Sequence, residues 1–317
     1  MDLSLFFAGT AGSVPTARRG LPALLVRRGG DKLLFDCGEG TQRQLLRTVG
    51  LPEVGAVFLT HLHLDHWLGL PGMLKSFDLR DREAPLDLFG PPGTRPVLAT
   101  VGRIIGRLGY EFAVTEMEAG DHVEFDDYAV HAFNVRHRGP AFGYAIEEDE
   151  RPGRFDDALA RELGVPFGPA FGALQRGEIV HGVRPEQVIG PPRPGRRVVV
   201  SGDTAPSETL RATAQGADVL VHEATFLHEE RERAAETGHS TARQAAEIAA
   251  EADVRLLALT HLSTRYTGRE IREEGRAAFP RTVVPRDFDT IEIPFAERGE
   301  PELRRWEEGS PDPLVRS

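Results

Sequence analysis

Cysteine is almost missing from this chain: Cys37 is the only one in 317 residues. A single thiol forms no internal disulfide, and structural disulfides are a mark of oxidising compartments. Lysine is scarce too, with only Lys32 and Lys75. Every other basic side chain, histidine aside, is arginine, so arginine clusters weigh less as phosphate signals here than they would elsewhere. No apolar run approaches the ~20 residues that cross a bilayer. The start, Met1-Asp2-Leu3-Ser4, lacks the basic stretch of a secretory leader. Together these absences predict a cytoplasmic protein that does not enter a membrane. Positive charge is in deficit as well: the net charge is −11. That excludes a uniformly basic coat for nucleic acid but leaves room for a local patch.

Apolar content is 40%, enough for a sizeable core in one large or two small domains. The densest chemistry lies in Thr60-His61-Leu62-His63-Leu64-Asp65-His66. Three imidazoles and a carboxylate fall within 61–66, and these groups are the usual ligands of zinc and similar metals. The run follows an apolar segment, 56–59, that reads as a buried strand, and it precedes a helix-like pattern from Trp67. It therefore sits in a loop at the carboxyl end of a strand, where α/β sheets tend to place their sites.

The same arrangement recurs along the chain. Residues 3–7 read as a strand. The small-residue loop 8–16 after it is either a plain turn or a place where backbone approaches a ligand closely. Residues 21–26 and 32–35 read as a hairpin with 27–31 as its turn. Asp36-Cys37-Gly38-Glu39-Gly40-Thr41 follows, then a helix with Gln42, Leu45, Leu46 and Val49. Residues 86–89 and 97–118 suggest a strand and helix on the flank. The strand 128–135 ends next to His137, and 197–200 ends at Ser201-Gly202-Asp203. Taken alone, Asp203 reads as a cap or turn aspartate; the strand end it shares with the other candidates would let it bridge two metal ions. Strand 218–221 ends in His222-Glu223, and 256–260 ends in His261. Between them lie a solvated helix over 227–236 carrying His228, then His239, and an alanine-rich helix over 242–252 with Ser240 or Thr241 as N-cap. Residues 289–293 read as a last strand. His122, His131 and His181 are expected to be structural or solvated. Residues 147–192, rich in Pro and Gly, break the rhythm; connections this long are functional or disordered.

The spacing at 61–66 matches the His-x-His-x-Asp-His signature of the metallo-β-lactamase superfamily. "GTAGSVPTARRG" at 9–20 and "FDCGEGTQRQLL" at 35–46 resemble the N-terminal signature of the ribonuclease Z family, the tRNA 3′-end endonucleases. "HRGPAFGY" at 137–144 resembles that family's third ligand motif, and "HEAT" at 222–225 and "GHSTA" at 238–242 extend the likeness, which covers roughly 4–293. Ala11 and Gly20 depart from residues common in the family, outside the ligand motifs.

The resemblance implies an α/β fold, the αβ/βα four-layer sandwich, as one domain over 1–300. It makes 147–192 an inserted arm that grips tRNA, where Arg154, Arg161, Arg176 and Arg184 could meet phosphates, and 301–317 a loose tail. It implies two zinc ions: His61, His63 and His137 hold one, Asp65, His66 and His261 the other, and Asp203 bridges them. Seven such ligands exceed what one zinc takes. Asp65 would orient or deprotonate the nucleophile. His239, oriented by Glu223, would protonate the leaving 3′ oxygen; as a residue it is also explained as a histidine at a helix start. The implied protein is a homodimer acting on precursor tRNA. A small-substrate hydrolase on the same fold would not need 147–192, and a catalytically dead RNA-binding module would not need the full ligand set.

Overall fold

The structure, a computed structural model, describes residues 2–308. Fifteen strands among these residues form two sheets. The first runs in the order β15-β14-β1-β2-β3-β4-β5-β6. Its members are β1 (Leu3–Gly9), β2 (Ala23–Arg28), β3 (Asp31–Phe35), β4 (Ala56–Phe58), β5 (Leu86–Gly90), β6 (Phe112–Glu116), β14 (Thr290–Glu292) and β15 (Glu302–Arg304). The second runs β13-β12-β11-β10-β9-β8-β7. It comprises β7 (His122–Glu124), β8 (Tyr128–Asn134), β9 (Phe142–Glu148), β10 (Arg197–Val200), β11 (Val219–Glu223), β12 (Leu256–Thr260) and β13 (Thr282–Val283).

The sheet centres are covered on both faces, which explains why strands such as β4, β10 and β12 are continuous apolar runs rather than alternating ones. Side chains along a strand point alternately to opposite faces. In β1, Leu3, Leu5 and Phe7 enter the core between the sheets, while Phe6 and Ala8 face an outer core. In β12, Leu256 and Ala258 point inward, and Leu257 and Leu259 outward. The outer core of the first sheet is closed by helices Thr41–Leu46, Leu70–Asp78 and Thr94–Ile105. Helices Glu208–Thr213, Ala242–Glu251 and Gly268–Ala278 close the other. The layers are helix, sheet, sheet, helix. In Ala242–Glu251, Ala242, Ala245, Ala246 and Ala249 are all fully buried, so the helix axis lies close to the sheet. Thr241, not Ser240, is its N-cap, in a reciprocal capping box with Gln244.

Strands β3–β6 and β10–β13 pair in parallel. The loops that leave β4, β10, β11 and β12 therefore gather at one edge of the sandwich. There the amide of Phe142 donates to the carbonyl of Thr60 at 2.8 Å, tying the two sheets together.

Several sequence expectations are corrected or narrowed by the structure. The hairpin turn is not 27–31 but Gly29-Gly30, with β2 continuing to Arg28 and β3 starting at Asp31. The buried Arg28 guanidinium, paired with Asp127 and Glu148, holds the strand end in register. The tail from 301 is not loose where it is described. Residues 302–304 form β15 against β14, the Trp306 ring packs 5.0 Å from Phe288, and its amide donates to Asp289. Leu303 and Trp306 pack against the body and Arg305 pairs with the buried Asp289; residues 309–317 lie outside the described residues. Residues 147–192, read as an inserted arm with a disordered loop as the alternative, are folded. Helices Asp157–Glu162, Pro169–Gln175 and Pro185–Val188 enclose a small core of Ala160, Val165, Phe171, Leu174, Val183 and Val188. A two-stranded stalk, bridged at Arg151–Arg193 and Phe155–Ile189, connects it to the body.

Candidate metal centre

All seven candidate ligands lie at the shared sheet edge, delivered by segments that follow strands (Asp65 and His66 on the short helix Leu64–Trp67) or, for His137, by the loop that joins β8 to β9. Nε2 of His61 lies 2.9 Å from Nδ1 of His63, which is 3.2 Å from Nε2 of His137. Nε2 of His66 lies 3.4 Å from Nε2 of His261. Both face Oδ2 of Asp65, at 3.6 and 3.5 Å. Oδ2 of Asp203 sits between the groups, 3.2 Å from His261, 3.4 Å from His66 and 3.8 Å from His61. The donor atoms of His61, His63, His137 and Asp203 fall within 4.8 Å of one another, as do those of Asp65, His66 and His261. A third such group is Asp203, His239 and His261.

The far side of most rings is also engaged. Nδ1 of His61 meets the Thr60 hydroxyl at 3.0 Å, Nδ1 of His66 the Asp36 carboxylate at 2.7 Å, Nδ1 of His137 the Gly238 carbonyl at 2.8 Å, and Nδ1 of His261 the Thr225 hydroxyl at 2.9 Å. Metal-bound histidines are characteristically backed in this way, because the outer partner fixes the ring's tautomer and direction. With the outer nitrogens occupied, the inner ones converge as lone pairs that cannot all satisfy one another. A cation satisfies them together, so the donor set fits a metal site. Burial pushes the pKa of His61 and of His137 down, favouring the neutral imidazole that binds metal.

His61, His66, Asp203, His261 and Glu223 form the buried floor, while Asp65, His63, His137 and His239 line the mouth. Nδ1 of His239 lies 2.8 Å from Oε1 of Glu223. Glu223 is buried and also accepts from the Thr204 amide at 2.8 Å and the Thr225 hydroxyl at 2.6 Å. Burial disfavours charge on His239, but Glu223 outweighs it and holds the imidazole up at about 9.

His122, His131, His181 and His228 stand apart from the site. His122 and His131 face each other across β7 and β8, His181 is exposed on the inserted segment, and His228, expected on the surface, is half-buried against Thr241.

The backbone is distorted here in a way the sequence did not announce. Ser13, Asp36 and His261 adopt positive φ, at 61°, 59° and 55°; such conformations cluster at functional sites. Gly12 has no alternative, since a Cβ there would lie 2.6 Å from Nδ1 of His261. Sequence reasoning passed over Ser13, Asp36, Thr60 and Thr225 as site residues. The strand-end rule that singled out Asp203 applies equally to Asp36, which directly follows β3.

Comparison with known proteins agrees with this geometry. The family model described as a beta-lactamase superfamily domain matches residues 31–155 and 180–262. Ribonuclease Z of Haloferax volcanii is 47% identical over 307 residues, covering 94% of this chain and 97% of the relative. Ribonuclease Z of Gemmatimonas aurantiaca is 47% identical, with 94% and 98% covered. The crystal structure of the short form of human tRNase Z superposes with a TM-score of 0.67 at 26% identity, over 92% of this chain and 99% of that one. The Bacillus subtilis metallo-β-lactamase fold protein YhfI, at 18% identity, TM-score 0.69 and coverage of 92% and 100%, shares the fold. This chain belongs to the ribonuclease Z family of the metallo-β-lactamase superfamily.

Proposed function

We propose that the chain is a metal-dependent endoribonuclease that removes the 3′ trailer of precursor tRNA. The observation that carries this reading is one sheet edge holding a seven-residue donor set together with the His239–Glu223 pair, in a chain 47% identical to ribonucleases Z over nearly its whole length. Nitrogen and carboxylate donors in this number suit two zinc ions. His61, His63 and His137 would hold one, Asp65, His66 and His261 the other, with Asp203 shared. When bound, such ions polarise the scissile phosphate and make water a competent nucleophile near neutral pH.

The chain's own groups do the rest. Asp65, fixed by the Ser13 amide, accepts the proton of the attacking water. His239 presents Nε2 to the substrate because Nδ1 is committed to Glu223, and it donates its proton to the leaving 3′ oxygen. The products are a 3′ hydroxyl on the tRNA and a 5′ phosphate on the trailer. The inserted segment is the arm that grips tRNA; the family-model match skips residues 156–179, in line with an insertion. The same reading makes the protein a cytoplasmic homodimer. Among the described residues no helix is long and apolar enough to cross a membrane.

The test is cleavage of a 3′-extended precursor tRNA, with Asp65→Ala as control and metal content measured by mass spectrometry. A single cut after the discriminator base, lost in the variant, with two zinc ions per chain, is the expected result. Intact precursor alongside hydrolysis of a small phosphodiester would overturn the tRNA assignment and leave a phosphodiesterase on this fold.

A further inference from the structure

β9 and β10 carry the inserted segment at their far ends. His137 precedes β9 and Asp203 follows β10, so Arg151 and Arg193 lie at the other end of those strands, roughly 20 Å from the site by strand rise. The stalk is thin where it leaves the body. A Cβ on Gly153 would lie 1.8 Å from the carbonyl oxygen of Gly190, so the two stalk strands touch backbone to backbone. The small core beyond shares no residue with the cores of the body. Alone, this arrangement is a lever on a narrow pivot.

A segment of the body meets that pivot. The chain leaving β14 turns at 296–298, where Glu297 accepts from both sides of the stalk. The Arg151 guanidinium reaches it with two nitrogens, at 2.9 and 3.2 Å, and Arg193 with one at 2.9 Å. The Arg151 guanidinium also lies 3.4 Å from the ring centre of Phe295. The Arg196 guanidinium lies 4.1 Å from the same ring and is anchored to Glu148 and the Ile293 carbonyl in the body. A single exposed ion pair contributes little. Here one carboxylate joins two strands, one contact is bidentate, and a ring is stacked beneath, so orientation is restricted by several contacts at once. Beside the contact, a cavity of about 570 Å³ lined by Arg154, Gln175, Ile189 and Arg298 separates stalk from body. That space would let the segment swing if the contact were released.

We infer that Phe295 and Glu297 form a clamp that sets the arm's direction, which makes Glu297 a positioning residue for precursor tRNA distant from the chemistry. The inference rests on the reading of the inserted segment as a tRNA-gripping arm. Releasing the clamp spreads the arm over orientations of which only some meet the tRNA body. Apparent affinity then falls in proportion to the competent fraction, while the reacting groups are unchanged.

The experiment compares the full-length protein with Glu297→Gln and Arg193→Gln. One readout is steady-state kinetics on precursor tRNA and on bis(p-nitrophenyl) phosphate. The other is the spin-label distance distribution between Ile179→Cys on the arm and Glu302→Cys on the body. Both variants should raise KM for precursor tRNA about three- to tenfold, as for a competent fraction reduced to between a tenth and a third. They should leave kcat and the small-diester rate unchanged and broaden the distance distribution. An unchanged KM with an unchanged distribution overturns the clamp, and so does a loss shared equally by the small diester. A broadened distribution with unchanged KM overturns the positioning role. If the wild-type protein fails to cut precursor tRNA, the functional reading fails first, and the distance distribution alone decides whether the clamp exists.

Discussion

The backbone amide of Ser13 donates to Oδ2 of Asp65 across 3.0 Å while Ser13 itself holds φ at 61°. A loop far from the histidine run in sequence thus aims the run's one carboxylate. Ser13→Gly keeps the amide and fits that conformation without strain, so activity should be retained. Ser13→Val places a β-branched residue where it is a steric outlier. It should lower kcat by one to about two orders of magnitude, with KM little changed. Equal kcat in both variants would separate Asp65 from this loop.

His239 and Glu223 make a prediction that turns on the leaving group. An alkoxide needs a proton as it departs, whereas p-nitrophenolate does not. His239→Ala should reduce precursor tRNA cleavage about 10²–10⁴-fold and largely spare bis(p-nitrophenyl) phosphate. Near-normal single-turnover cleavage of precursor tRNA would remove His239 from the mechanism. Glu223 holds His239 up at about 9, so cleavage should fall as pH rises through that value, and Glu223→Gln should move the fall to lower pH.

Asp287 ties both ends of the 10–20 loop. It accepts from the Thr10 hydroxyl at 2.7 Å, the Gly20 amide at 2.6 Å and the Gln44 side chain at 2.6 Å. Burial nevertheless dominates and pushes its carboxyl from 3.8 up to about 6. A carboxyl raised in the fold binds its proton more tightly there than in the unfolded chain. Its contribution is therefore full below 3.8 and lost as pH rises through about 6. Asn cannot titrate, so urea unfolding of wild type and Asp287→Asn should show the wild type losing about 2 kcal/mol relative to the variant between about pH 4.5 and about pH 7.5. A difference constant with pH would contradict this.

Cys37 is fully buried, with Sγ 4.0 Å from the Met73 sulfur, and burial pushes its thiol up to about 12. The thiolate is the reactive form. A maleimide should leave the folded protein unlabelled for hours and label it stoichiometrically in denaturant. Rapid labelling of the folded chain would mean that the helix Leu70–Asp78 opens readily.

Much of the fold was legible because its signals are local. Apolar runs such as 56–59 and 256–260 became strands, and a ligand-type residue follows each within two positions. The inserted segment was legible as an interruption but not as a structure. Its small core depends on Phe171, Leu174 and Val183 meeting across turns whose geometry no short window encodes. The docking of 302–306 escaped notice for a similar reason: two apolar residues in a polar stretch carry no periodicity, and only Phe288 and β14 give them a surface.

What the sequence determined by itself was the identity of the candidate site residues and the strand ends that carry them. Residue type and the apolar runs that mark buried strands are properties of the chain alone. What only the tertiary structure decided was direction: which nitrogen of each histidine faces inward, that Asp36, Thr60, Thr225 and the Gly238 carbonyl stand behind them, and that Glu297 reaches across to the stalk. Those contacts join segments distant in sequence. Side-chain direction there follows from packing and hydrogen bonds that exist only once the two sheets have closed on each other.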